Sequence, residues 1–140
     1  MKQIPVIFWT GTGNTQMMAA AVAEAINAAG AEKKKKNISE ITADEAAGYD
    51  ALALGCPAMG AEVLEECEFE PFFTELEGKL AGKKVAIFGS YGWGGSYMQD
   101  WEARVKDAGA TLVADGVLAL GAPDDEAMAK LTEAGKLLAE

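Results

Sequence analysis

Short apolar runs alternate with longer segments of helical spacing along this chain, and that alternation limits the fold more than any other feature. The runs are Ile4–Trp9, Ala51–Gly55, Lys84–Gly89 and Thr111–Leu120. The segments between and after them are Asn14–Ala29, Leu64–Leu76, Tyr97–Ala108 and Asp124–Ala139, where apolar residues recur at helical spacing. The polar run Lys33–Ile38 reads as a weak edge strand, with a short helix over Ala43–Gly48 behind it. Five strands alternating with helices predict an α/β fold, a doubly wound parallel sheet covered on both faces. Ile4–Phe8, Ala51–Leu54 and Val85–Phe88 carry few charges, as strands buried on both faces should. Gly30 and Gly109 stand where helices are expected to stop. Right-handed crossovers leave two common strand orders for such a set.

At 140 residues a single domain over residues 1–140 is expected, large enough to enclose a core. The longest uncharged apolar stretches are far short of a membrane span. Ile4–Trp9 is too short for the apolar region of a signal peptide and runs straight into Thr and Gly, so a cytoplasmic location is expected. The net charge is −10 and histidine is absent. Histidine general bases, histidine metal ligands and histidine-containing triads are thereby excluded. Such an acidic chain would also repel a nucleic-acid backbone and an anionic membrane. Cys56 and Cys67 fit no zinc, haem or paired-cysteine redox spacing; two reduced thiols and no metal site are expected.

In a doubly wound sheet, ligands sit outside the carboxyl ends of the strands, where strand order reverses. The informative loops are therefore Thr10–Thr15, Cys56–Glu62, Ser90–Tyr97 and Leu120–Asp124. The first, in Trp9-Thr10-Gly11-Thr12-Gly13-Asn14-Thr15, ends at the start of a helix. Free backbone N–H groups and the positive helix end make such a place an anion site. Gly11 and Gly13 let the backbone curl, and Thr10, Thr12, Asn14 and Thr15 add side-chain donors. A terminal phosphate monoester suits it. A P-loop needs a lysine, and none lies between Lys2 and Lys33; a dinucleotide fingerprint needs a third glycine, and position 16 is Gln. The other reading of this loop is an ordinary strand-to-helix turn with an N-cap Asn or Thr. The third loop, Ser90-Tyr91-Gly92-Trp93-Gly94-Gly95-Ser96-Tyr97, sets flat rings among glycines, which suits stacking on a planar ligand. Its alternative is Trp93 folded back as a loop plug. Met59 of the second loop offers a soft thioether to the opposite face of such a ligand.

The combination of Thr10–Thr15, Ala58-Met59-Gly60-Ala61-Glu62 and Gly89-Ser90-Tyr91-Gly92-Trp93-Gly94 closely resembles the short-chain, clostridial-type flavodoxins of anaerobic bacteria. The resemblance runs from Ile7 to about Asp125 and includes Glu62-Val63-Leu64-Glu65-Glu66 and Glu68-Phe69-Glu70-Pro71-Phe72. It implies strand order 2-1-3-4-5, one non-covalently bound FMN and no enzymatic activity. It implies that Thr10, Gly11, Thr12, Gly13, Asn14 and Thr15 hold the FMN phosphate, and that Pro57 and Ala58 border the ribityl chain. Met59 and Trp93 would sandwich the isoalloxazine, and the Glu62 carboxylate would accept from N3–H. Backbone groups of Gly60, Ala61 and Glu62, and of Gly92, Trp93 and Gly94, would meet the polar edge of the ring, with Ser90 and Tyr91 leading into that set. Position 61 is Ala where Asp, Ser or Asn is more familiar, and position 10 is Thr where Ser is usual.

The function implied is a low-potential one-electron carrier working on the semiquinone/hydroquinone couple. Gly60, second in the turn Met59-Gly60-Ala61-Glu62, would let the following peptide rotate on reduction. No base occurs in the three loops, and seven acids and no base lie between Ala61 and Gly78, which disfavours an anionic reduced flavin. The acidic face around Glu62–Glu70 is read either as a solvated helix surface or as a steering field toward basic docking patches. The implied partners are ferredoxin-dependent oxidoreductases and an NADP reductase, met by a monomer. Two other functions share the fold: a small FMN-dependent NAD(P)H:quinone reductase and a flavin-based activator of a metalloenzyme. A phosphoacceptor receiver domain is disfavoured, because Gly55-Cys56 stands where its aspartate would be.

Overall fold

Each apolar run becomes a strand because both of its faces are covered, so alternate residues feed two separate cores. The structure is a computed structural model that describes residues 3–9, 13–57, 68–91 and 96–140. Its strands are β1 (Gln3–Phe8), β2 (Glu32–Asn37), β3 (Ala51–Gly55), β4 (Lys84–Tyr91), β5 (Thr111–Leu112) and β6 (Val117–Leu120). Its helices are α1 (Asn14–Ala28), α2 (Ala43–Ala46), α3 (Phe69–Glu77), α4 (Ser96–Asp107) and α5 (Asp125–Ala139). The sheet runs β2-β1-β3-β4-β5, with β6 also on β4, and every pair is parallel. The expected order 2-1-3-4-5 and the doubly wound α/β class are both observed.

On β1, Ile4, Val6 and Phe8 join α1 and α5 residues in one core, while Ile7 faces the other with Leu52, Leu54, Val85 and Ile87. The second core is aromatic. Phe69 and Phe73 of α3 meet the Trp101 ring of α4 edge-on, with centroids 5.5 and 6.0 Å away. The first is rich in alanine, and α1 and α5 approach closely: a Cβ on Gly135 would lie 2.7 Å from Ala25 Cβ and 2.9 Å from the Val22 carbonyl. Between β3 and β4, a Cβ on Gly55 would collide with the buried ring of Phe88.

Helix ends follow the glycines. After α1, Gly30 takes φ 95°, its N–H reaches Asn27 O, and Ala31 N–H reaches Ile26 O. Gly109 does the same after α4 at φ 86°, with bonds to Lys106 O and Val105 O. Both are two-bond stops that satisfy the last helical carbonyls. The lysine-rich run forms the outer strand β2 beside β1, as expected of an edge.

Three expectations need correction. Thr111–Leu120 is not one strand. The ladder on β4 holds as far as the Val113 N–H, which donates to Val85 O at 3.0 Å, and then breaks before Val117. At the break the Gly116 N–H donates instead to the Glu102 carboxylate of α4 at 2.7 Å, and a Cβ there would collide with Met98. The chain steps inward toward α4 and rejoins the sheet as β6. Ser90 and Tyr91 belong to β4 rather than to the loop, because β6 extends the ladder opposite them. The helix read over Leu64–Leu76 is α3, described from Phe69 to Glu77; Leu64–Cys67 lie outside the described residues.

Candidate functional site

Because all strand pairs are parallel, the carboxyl ends of β1, β3, β4 and β6 share one edge of the sheet. The chain leaves β1 for β2 on one side and returns to β3 on the other, so strand order reverses between β1 and β3. That is where a doubly wound sheet places its ligand. The loops after β1, β3 and β4 all open there. Thr10, Gly11, Thr12, Ala58, Met59, Gly60, Ala61, Glu62, Gly92, Trp93 and Gly94 lie outside the described residues. Gly13, Asn14, Thr15, Pro57, Ser90 and Tyr91 lie within them, and all six are brought to this edge.

Gly13 caps α1 at φ 93° with no side-chain cap, so the turn demands a left-handed residue. The first turn of α1 contains no acid. Helix α5, opening at the same edge, contrasts with it. Asp124 caps α5 by accepting from Ala127 N–H at 2.8 Å, and Asp125 and Glu126 fill its first turn. One helix N-terminus is thus supplied with its own carboxylates, and the other is left without them, as a site for an outside anion requires.

Beneath the loops the floor is polar yet buried. Thr15 and Ser90, 1% and 6% exposed, share a hydroxyl–hydroxyl bond of 3.2 Å, and the Ser90 N–H points at Thr15 Oγ1 at 3.4 Å. The Thr15 hydroxyl therefore faces β4 across the floor. Tyr97, at the start of α4, donates its hydroxyl to Cys56 O at 2.9 Å. Burial drives the Tyr97 phenol far above its usual range, so it stays a donor. Gly89 makes the approach possible, since a Cβ there would collide with both Cys56 O and the Tyr97 oxygen. Half-buried Trp9 donates its indole N–H to Glu68 Oε1 at 3.3 Å.

Sequence reasoning missed Trp9, Glu68 and Tyr97, whose partners are 59 and 41 residues away. It also missed Arg104. That guanidinium bonds Glu70 at 2.7 and 2.9 Å and Glu77 at 3.0 and 3.1 Å, and sits 4.7 Å over the Phe73 ring. The Glu70 carboxyl is held below its ordinary value, chiefly by the hydrogen bond from Arg104. Arg104 therefore pairs two of the seven acids between Ala61 and Gly78 and offsets one of their charges. Among the described residues no group of three or more His, Cys, Asp or Glu is placed to hold a metal, and no helix is long and apolar enough to cross a membrane.

The chain matches the family model described as Flavodoxin over residues 6–135. A flavodoxin of Clostridium beijerinckii is 46% identical over 135 residues, covering 96% of this chain and 97% of that protein. The flavodoxin of Megasphaera elsdenii is 46% identical over 116 residues, covering 82% of this chain and 85% of that protein. The solution structure of two-electron reduced M. elsdenii flavodoxin is similar with a TM-score of 0.89 at 42% identity, over 97% of this chain and 98% of that one. With the sheet order, the switch point and the acid-free first turn of α1 already in place, the chain belongs to the flavodoxin family, in its short-chain clostridial branch, and is an FMN-binding electron-transfer protein.

Proposed function

We propose that the chain forms one FMN-binding domain that works as a monomeric, low-potential, one-electron carrier in the cytoplasm. When bound, FMN supplies a centre able to pass electrons one at a time. The residues that would hold its phosphate are Thr10 to Thr15, at the start of α1. The observation that carries this is the contrast between the two helix N-termini at the ligand edge: α5 has Asp124, Asp125 and Glu126, and α1 has glycine at its cap and no acid in its first turn. Met59 and Trp93 would cover the two ring faces, and Gly60–Glu62 and Gly92–Gly94 would meet its polar edge.

The loops contribute no base to offset charge added to the ring, which supports a low potential for full reduction. Glu62, Glu65 and Glu66, which lie in sequence between β3 and α3, would give the ligand edge a negative field of the sign that draws in a basic docking surface. Ferredoxin-dependent oxidoreductases and an NADP reductase are the partners of that description.

The test is anaerobic, stepwise reduction of the FMN-loaded protein with dithionite, followed by visible spectroscopy. A long-wavelength band that rises to half reduction and then falls supports single-electron transfer. A direct yellow-to-colourless change refutes it and favours the paired-electron chemistry of a quinone reductase.

A further inference from the structure

Three side-chain contacts at the ligand edge share one property: each joins a residue bordering one flavin loop to a residue bordering another. Trp9, just before the first loop, bonds Glu68, which precedes α3 on the far side of the second. Cys56, just after β3 where the second loop begins, accepts from Tyr97, just past the third loop. Ser90, at the end of β4 before the third loop, bonds Thr15, in the first turn of α1 after the first loop. First to second, second to third and third to first, the contacts close a cycle, and each loop is tied at both ends. The partners are 59, 41 and 75 residues apart, so only the folded sheet brings them together.

We propose that this cycle positions the flavin: Trp9, Glu68, Tyr97, Thr15 and Ser90 hold the chain on either side of the three loops at fixed separations, which would lower the cost of ordering the site around FMN. Trp9, Glu68 and Tyr97 act as positioning residues, through the loops they tie. The cycle rests on the flavin reading of the loops and goes beyond it, because it gives these side chains a role away from the ring. Pre-ordering raises affinity by sparing the ligand the work of fixing loops. The central link is the one from Tyr97: it is buried, and Gly89 leaves no side chain in its way. The indole link ties the other end of the second loop, the loop that would carry Met59 and Gly60.

The variants Trp9→Phe and Tyr97→Phe each remove one donor and keep an aromatic ring. FMN affinity is read by titrating FMN with FMN-free protein and following the loss of flavin fluorescence, and stability by urea unfolding of the same samples. The expected result is a dissociation constant raised about 3- to 12-fold in each variant, the net worth of one hydrogen bond, with the midpoint potentials of bound FMN shifted. Gly135→Ala, which crowds α1 against α5, serves as a control for stability alone. While more than about 99% of the FMN-free protein is folded, a change in global stability cannot alter the measured constant. Stability lost while the dissociation constant stays within twofold and the midpoint potentials stay unchanged would overturn the proposal, leaving the contacts as core bonds only. If the unaltered protein takes up no FMN, the flavin reading itself fails, which is a separate result.

Discussion

Replacing Arg104 with Met removes the charge that joins α4 to α3 and keeps an apolar stem over the Phe73 ring. The side chains of Arg104, Glu70 and Glu77 are 29%, 36% and 30% exposed, so water screens the ion pairs in part. Each carboxylate pair is then worth about 0.5–1 kcal/mol, the upper range for surface pairs, because both are met by the planar fork. Loss of the cation over Phe73 adds about 0.5 kcal/mol. The sum is a loss of about 2 kcal/mol, which lowers the melting temperature of a domain this size by about 6–8 °C. Urea unfolding of the FMN-free protein measures it without ligand linkage. The pH dependence adds a sharper check. The ordinary value for Glu70 is 4.5 and its folded value is lower, so the unfolded chain binds more protons near pH 4. This contribution is present above 4.5 and disappears as pH falls through the lower folded value. The deficit of Arg104→Met should therefore be largest near pH 7 and shrink toward pH 3. A deficit under about 0.5 kcal/mol at pH 7, or one equal at both pH values, refutes the reasoning.

Gly135→Ala should cost about 1–3 kcal/mol in urea unfolding, because its Cβ would meet Ala25 and the Val22 carbonyl where two helix backbones touch; a neutral or stabilising result would show that α1 and α5 can separate freely. Gly60→Ala should lower the potential of the first reduction step of bound FMN, since the added Cβ hinders rotation of the following peptide; an unchanged potential in redox titration removes that role from Gly60.

Much of the frame was legible from local chemistry. Ile4–Phe8 and Val85–Phe88 could only be buried strands, and Gly30 and Gly109 end their helices as their positions announce. The lysines of β2 marked an edge because a strand buried on both faces does not hold a row of four charges. Features that depend on neighbours far along the chain were hidden. Thr111–Leu120 looks continuous in sequence, and its break arises from Glu102 and Met98 of α4. Nothing local tells that β4 continues through Tyr91, since β6 supplies the reason. The site divides in the same way. Its glycine, threonine and aromatic loops stood out by composition, whereas the cross-loop contacts of Trp9, Tyr97 and Thr15 exist only once the strands are aligned. Arg104 looked like an ordinary helix charge until α3 was packed beside it.

Gly55 and Gly89 stand near the ends of β3 and β4, one crowding a buried ring and the other a backbone carbonyl. Their consequence reaches beyond folding to the paths by which the sequence can change. Every single-nucleotide missense change in a glycine codon adds a Cβ, and at these positions the first added carbon already collides. Drift through ordinary point mutation is therefore closed at both. The strand ends that launch the ligand-edge loops stay anchored by two missing side chains.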